Sequence, residues 1–266
     1  MSNKFVIYSD IDGTFVDENY SYKGALPALE LIKRKKIPLV FCTSKTRTEI
    51  EVYRKELGIE DPFISENGGA IFIPLGYFHE SVSERLSGDY EVIELGTPYS
   101  ELRKTLREIK KASGCEILGF GDMSVEEISK DSGLDLKAAE LAKRREYDEP
   151  FKIVGTEKQI DKALELIRAH NLNYTKGGRY YHILGDNDKG KAVGILTEIY
   201  RSKDSGIKTI GLGDSYNDIP MLRNVDIPVL IKRLDNTAIE FKGAIKSTLI
   251  GPDGWNEVIL KLISEN

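Results

Sequence analysis

The chain has 266 residues, with 38 Lys+Arg against 43 Asp+Glu and a formal net charge of −5. At roughly 150 residues per domain, this length suits one large domain or two modest ones, enough to bury a core without disulfide staples. Hydrophobic residues at 40% and charged residues at 30% exclude a disordered chain, no run reaches the roughly 18 apolar residues that span a bilayer, and the mild acidity argues against a nucleic-acid partner, which calls for a basic face. The N-terminus runs straight into a strand pattern, with no charged-then-apolar leader, so a cytoplasmic protein with no membrane partner is expected. Cys42 and Cys115 sit in apolar runs and read as buried reduced thiols.

Residues 4–9 (KFVIYS) read as a buried strand, and 24–35 as a helix with apolar spacing at Leu26, Leu29 and Ile32. Residues 37–43 (IPLVFCT) form a second strand, 46–57 a helix ending at Gly58, and 62–65 a third short strand. The middle of the chain has a different rhythm. Residues 90–95 (YEVIEL) and 151–154 alternate apolar with polar, as one-sided antiparallel strands do, and 180–184 (YYHIL) also fits a strand. Helices are predicted over 101–112, 125–130, 136–145 and 158–169. The first rhythm then returns: helix 190–200, strand 208–212, short helix 218–224, strand 228–231, helix 255–263. The β-α-β order implies parallel strands with right-handed crossovers. An α/β protein follows, with a doubly wound, Rossmann-like parallel-sheet core from 1–83 and 187–266 and an inserted α+β unit at 84–186.

Chemistry concentrates at predicted strand ends. Asp10-Ile11-Asp12-Gly13-Thr14 closes the first strand, where open α/β sheets bind ligands, and residues two apart share a side. Asp214 and Asp218, in Gly213-Asp214-Ser215-Tyr216-Asn217-Asp218, follow strand 208–212. If the two strands are neighbours, four carboxylates converge, repel one another and invite a hard cation such as Mg²⁺. Thr43-Ser44-Lys45-Thr46 opens a helix, whose free N–H groups with a hydroxyl make an anion cradle. Asn187-Asp188-Lys189-Gly190-Lys191 opens another, where Lys189 or Lys191 can bring positive charge to a phosphoryl group.

Taken in this order, the motifs resemble the haloacid dehalogenase superfamily of phosphatases over the whole chain, and the insert resembles the α/β cap of its sugar-phosphatase branch. Segments 44–49, 63–71, 145–151 and 177–182 are further similar to the mannosyl-3-phosphoglycerate phosphatase family within it. The resemblance implies that Asp10 is the nucleophile, forming an aspartyl-phosphate, and Asp12 the general acid/base; the residues' own chemistry does not choose between the two. It implies that Ser44 bonds a phosphoryl oxygen and Lys189 pairs with Asp10. Mg²⁺ would be held by Asp10, the Asp12 backbone carbonyl and Asp214, with Asp218 acting directly or through water, and Asn217 would contact phosphate or the Asp214 loop. Cap candidates for the glycerate carboxylate are Arg179 and Arg145, and core candidates Lys45 and Arg47, because guanidinium suits carboxylate. Glu146, Tyr181 and His182 are candidates for sugar hydroxyls. Structural alternatives stand beside these: Arg144 and Arg145 as charges at a helix C-terminus, His182 as a strand histidine, and at most one of Tyr180 and Tyr181 facing the cleft. The expected reaction is Mg²⁺-dependent hydrolysis of mannosyl-3-phosphoglycerate to mannosylglycerate and phosphate by a monomer or homodimer. The alternatives are the glucosyl analogue, another sugar phosphate or a phosphomutase. A phosphate-accepting switch would have no use for Asp12 or the insert.

Overall fold

The computed structural model describes residues 4–177, 179–235, 237 and 239–264. Gly178 of the segment 177–182 and the outer ends of the expected core, 1–3 and 265–266, lie outside them. The first part of the chain forms β1 (Phe5–Ser9), α1 (Leu26–Lys35), β2 (Leu39–Phe41), α2 (Arg47–Leu57), β3 (Phe63–Ser65), β4 (Ala70–Pro74), β5 (Leu86–Ser87) and β6 (Tyr90–Glu94). The middle forms α3 (Tyr99–Ser113), β7 (Glu116–Gly119), α4 (Val125–Ser132), α5 (Leu136–Ala142), β8 (Asp148–Val154), α6 (Glu157–Ala169), β9 (Asn173–Lys176) and β10 (Tyr181–Leu184). The last part forms α7 (Lys189–Lys203), β11 (Lys208–Gly213), α8 (Ile219–Arg223), β12 (Ile227–Lys232), β13 (Ile245–Ile250) and α9 (Gly251–Ser264).

All five residues of β1 are buried, as a central parallel strand covered on both faces requires. The pleat sends Phe5 and Ile7 to one side, where they join Ile32 of α1 and Trp255 and Ile259 of α9. Val6 and Tyr8 turn the other way, onto Val193 and Leu196 of α7 and Met221 of α8. The five-stranded parallel sheet has the order β13-β12-β11-β1-β2. β1 therefore lies between β11 and β2, and the three chain segments carrying Asp10, Asp214 and Ser44 leave the sheet side by side. Trp255 fixes the end of β1 directly: its indole N–H donates to Ser9 Oγ at 3.0 Å, and Ser9 Oγ donates to the Asp10 carbonyl at 2.7 Å.

The third predicted strand does not extend the parallel sheet. β3 pairs antiparallel with β4 in a second sheet, ordered β3-β4-β6-β5, and among the described residues its ladder link to the first is the single parallel bridge Cys42–Ile64. The cause is local. Glu66 and Asn67 both take positive φ (47° and 56°) and Gly68 follows at 85°, reversing the chain into β4. β6, expected within the insert, pairs with β4 and so adds to this second sheet.

The third sheet, β7-β8-β10-β9, is antiparallel. Phe151, Tyr181 and Ile183 face α3 and α6, packing on Leu102, Leu106 and Ile167. Alternation leaves Asp148, Pro150 and His182 on the opposite side, towards the carboxyl ends of the parallel sheet. Among the described residues no helix is long and apolar enough to cross a membrane.

Candidate active site

Asp10, Asp214 and Asp218 converge, with carboxylate oxygens within 4.8 Å of one another and all three residues buried. Lys189, at the first position of α7, is fully buried and reaches Asp10 Oδ1 at 2.8 Å and Asp218 Oδ1 at 2.6 Å. Lys191 instead pairs with Asp186 on the surface, so the geometry chooses between the two lysines. Burial, with repulsion from Asp218 and Asp12, pushes Asp10 up to about 7 against the pull of Lys189. Burial and the same kind of repulsion, from Asp218 and Asp10, hold Asp214 well above the usual carboxylate range. Burial disfavours the Lys189 ammonium, but Asp10 and Asp218 outweigh it and keep the lysine charged. Several oxygen donors crowded together with excess negative charge suit a hard divalent cation. Asp218 has little to spare for one. Its Oδ1 takes Lys189, and its Oδ2 accepts the Asp214 and Ser215 backbone N–H groups at 3.1 and 3.0 Å, so it shapes the loop that presents Asp214. Gly13 (φ 74°) is needed for that presentation: a Cβ there would lie 2.6 Å from Asp214 Oδ2.

Asp12 stands apart from this cluster. Its Oδ2 pairs with Lys45 at 3.0 Å, and its Oδ1 is buried with no hydrogen-bond partner. Lys45 also faces Glu49 at 3.6 Å and lies over the rings of Tyr20 and Tyr53. Burial opposes its charge, but Asp12 and Glu49 outweigh burial and raise its pKa. Lys45, expected to meet the substrate, is thus chiefly the partner of Asp12. Ser44 lines the same cavity. The helix behind it is less of an anion cradle than the sequence suggests, because Thr46 and Glu49 form a capping box that occupies the N–H groups of both residues.

These groups open into a cavity of about 790 Å³ between the parallel sheet and the third sheet, which Ser44, Lys45, Arg145, Arg179, His182 and Asn217 all line. Arg145 lies past the end of α5. It donates from Nε to the Ala142 carbonyl at 2.9 Å, as a helix-terminal arginine would, and from Nη1 to the Ser44 carbonyl at 2.7 Å. Arg179 donates from Nη1 to the Ser132 carbonyl and is otherwise exposed. Of the adjacent tyrosines, Tyr180 lines the cavity and Tyr181 packs on Phe151 and Tyr174.

Two expected substrate residues, and Tyr181, lie away from the cavity wall. Arg47 is absent from the cavity wall: it pairs with Glu51 at 2.8 Å, donates to Ser87 Oγ at 2.7 Å and lies over the rings of Phe72 and Tyr90. One helical residue beyond the cap Thr46, it is turned toward the second sheet. Glu146 also misses the wall; it lies in the bend before β8, among the charges of Arg47, Glu94, Glu51 and Arg85, with Oε2 buried and unpartnered.

Sequence reasoning did not single out Glu66, Asn67 or Asp148 as site residues. Glu66 is fully buried, accepts the backbone N–H groups of Glu146 and Tyr147 at 2.8–3.1 Å, and is pushed up to about 8, chiefly by burial. Asn67 donates to Asp148 Oδ2 at 2.7 Å and accepts from Asn217 Nδ2 at 3.1 Å. The segment 63–71 did signal the place; a non-glycine pair that must adopt positive φ was the feature to seek.

A family model described as haloacid dehalogenase-like hydrolase matches residues 7–85 and 119–242. A Methanococcoides burtonii protein named glucosyl-3-phosphoglycerate/mannosyl-3-phosphoglycerate phosphatase is 53% identical, over 99% of this chain and 98% of its own. A Pyrococcus furiosus mannosyl-3-phosphoglycerate phosphatase is 39% identical, over 92% of this chain and 98% of its own. Among solved structures, a Thermoplasma acidophilum protein aligns with TM-score 0.70 at 17% identity, covering 99% of each chain. A Synechocystis sucrose-phosphatase aligns with TM-score 0.63 at 16% identity, again over 99% of each chain. These two likenesses concern the fold alone.

Proposed function

The chain belongs to the haloacid dehalogenase-like hydrolases, and on that premise we propose that it is a phosphatase that hydrolyses the phosphate ester of mannosyl-3-phosphoglycerate and of its glucosyl counterpart. The names of its relatives support both sugars. The observation that carries the mechanism is the pair of strand-end carboxylates in two different settings. Asp10 sits within the buried cluster on Lys189, and Asp12 sits outside it on Lys45. Two carboxylates in such contrasting environments can take opposite protonation roles.

Asp10 attacks phosphorus, the ester P–O bond breaks, and the departing alkoxide takes a proton from Asp12. Water then attacks the aspartyl-phosphate, gives its proton to Asp12 and releases phosphate with Asp10 restored. Lys189 opposes the upward push of burial on Asp10, favouring the anion the attack needs. Lys45 anchors Asp12 Oδ2, which leaves the unpartnered Oδ1 to carry the proton. Ser44 and Asn217, which both line the cavity, would bond phosphoryl oxygens. A divalent cation, which we take to be Mg²⁺, would be held by Asp10, Asp214 and the Asp12 carbonyl and would supply positive charge against the phosphoryl group when bound. We also propose the division into core and cap, with the first boundary moved from residue 84 to the stretch between β6 and α3, because β6 pairs with β4.

Asp10→Asn keeps the side chain's size and removes the nucleophile. Phosphate release from mannosyl-3-phosphoglycerate should disappear with the fold intact; wild-type turnover by this variant would sink the mechanism. Chelation should likewise stop turnover, and Mg²⁺ should restore it.

A further inference from the structure

Asn67 is buried in the reversal between β3 and β4, and the proposed chemistry gives it no part. A side-chain amide has a donor end and an acceptor end of nearly equal shape, so its partners decide which way it faces. One partner of Asn67 leaves no choice. Asp148, at the start of β8, is 0% exposed. It takes Asn67 Nδ2 at 2.7 Å and His182 Nδ1 at 2.9 and 3.0 Å. Burial opposes its ionisation, but His182, Arg145 and the Asn67 amide outweigh burial and hold its carboxyl below the usual range. A carboxylate only accepts, so Asn67 must turn its NH₂ to Asp148 and its Oδ1 the other way.

That choice passes along a row. Asn67 Oδ1 faces Asn217 at 3.1 Å, and two carbonyl oxygens cannot bond, so Asn217 presents Nδ2. Asn217 Oδ1 is thereby turned to Ser215 and takes its hydroxyl hydrogen. Ser215 has one such hydrogen, and Asp218 Oδ2, at 3.1 Å, is its other possible acceptor. Asp218 Oδ2 does not need it, because it already accepts the Asp214 and Ser215 backbone N–H groups. The second hydrogen on Asn217 Nδ2 has no acceptor among the described residues, and Asn217 borders the cavity with Asp10 and Ser44.

We infer that Asn67 is a positioning residue for phosphate binding: held by the buried anion Asp148, it turns Asn217 so that an N–H, and not a carbonyl oxygen, serves the cavity. This rests on the proposed phosphatase reading, in which Asn217 meets a phosphoryl oxygen. The sign of the dipole is what matters. Phosphoryl oxygens of the dianion accept only, so an amide facing the other way would repel the group it should bind. A donor fixed before the ligand arrives costs no reorganisation when it binds. The row also crosses the fold. Asp148 belongs to the third sheet, Asn67 to the second and Asn217 to the loop after β11, so the seat of the third sheet sets the dipole in the phosphate site.

Calorimetry with inorganic phosphate, in the presence of Mg²⁺, reads this donor without turnover. Asn67→Leu is close in shape and removes both ends of the amide. The Kd for phosphate should rise roughly 10-fold, the worth of one hydrogen bond to a charged group. KM for mannosyl-3-phosphoglycerate should rise with it, and the Kd for Mg²⁺ should stay at the wild-type value. The exchange Asn67→Asp with Asp148→Asn preserves shape and total charge. It reverses only the bond between the two residues and still turns an acceptor to Asn217, so it should recover at least about 3-fold of the loss. If the leucine variant fails to fold, the exchange is compared with Asn67→Ala. Unchanged phosphate affinity in the Asn67 variant, or no recovery in the exchange, overturns the inference. So does a parallel loss of Mg²⁺ affinity, which marks collapse of the Asp214 loop instead of a turned amide. Phosphate affinities as expected, with no release from any glycosyl-phosphoglycerate by wild type, would refute the proposed function and leave the row of amides standing.

Discussion

Lys189→Met removes the only side-chain cation bonded to Asp10 and Asp218 among the described residues, while nearly preserving volume. The lysine side chain is 0% exposed, and its partners are 6% and 0% exposed. Removing one member of a buried ion pair costs about 3–5 kcal/mol, because uncompensated charge stays behind. For a chain of this size that corresponds to a fall in Tm of about 6–10 °C. The cluster can relieve itself by taking up a proton, since Asp10 is pushed up to about 7 even with Lys189 present. Without the lysine that push grows, so the folded variant binds a proton that the unfolded chain releases, and its stability falls as pH rises through neutrality. The gap between wild type and variant should therefore be small at pH 6 and widest near pH 8.5. Thermal melts in chelator across this range, with phosphate release measured beside them, read both effects; turnover should fall by about 10³-fold, as for loss of a group that stabilises transition-state charge. A variant that melts with wild type at pH 8.5 would refute the reasoning about the cluster.

Gly68→Ala should destabilise by about 2 kcal/mol or more and also slow turnover, because Gly68 has φ 85° and a Cβ would fall 2.1 Å from the Asp188 carbonyl, at the start of the helix that carries Lys189; an unchanged urea midpoint and kcat would contradict this. Glu66, pushed up to about 8 from its ordinary 4.5, keeps a proton in the folded state that the unfolded chain has lost. Wild-type stability should decline between about pH 4.5 and 8, with a ceiling of about 5 kcal/mol, and Glu66→Gln should flatten that decline; parallel urea-stability profiles would count against it. Lys45→Met frees Asp12 from its anchor, so kcat should drop by about 10- to 100-fold, and a kcat equal to wild type would remove Lys45 from the mechanism.

The parallel core was legible because its strands are continuous apolar runs that end in acidic turns, and both motif carboxylate pairs lie where those runs predict. Adjacency was not legible: that β1 lies between β11 and β2 is a long-range pairing, and it alone brings Asp214 and Ser44 to Asp10. β3 was misassigned for the same reason, since three residues cannot reveal which sheet takes them. β4, β5, β7, β9 and β13 were missed; several are short, and β13 (IKSTLI) sits at the sheet edge with mostly polar or exposed residues. Within the site, Lys45 and Arg47 looked equivalent, yet a step of two along the chain turns one onto Asp12 and the other onto Phe72 and Tyr90. The Glu66–Asn67 link and Asp148 depend on contacts 80 or so residues apart, which periodicity cannot register.

The central claim is tested most directly by kcat/KM for phosphate release, with Mg²⁺, from mannosyl-3-phosphoglycerate, glucosyl-3-phosphoglycerate, 3-phosphoglycerate and a simple hexose phosphate, each run with wild type and Asp10→Asn. The two glycosyl-phosphoglycerates should lead the series and lose turnover in the variant. A wild type that prefers the simple hexose phosphate, or a variant that still releases phosphate at the wild-type rate, would contradict the account.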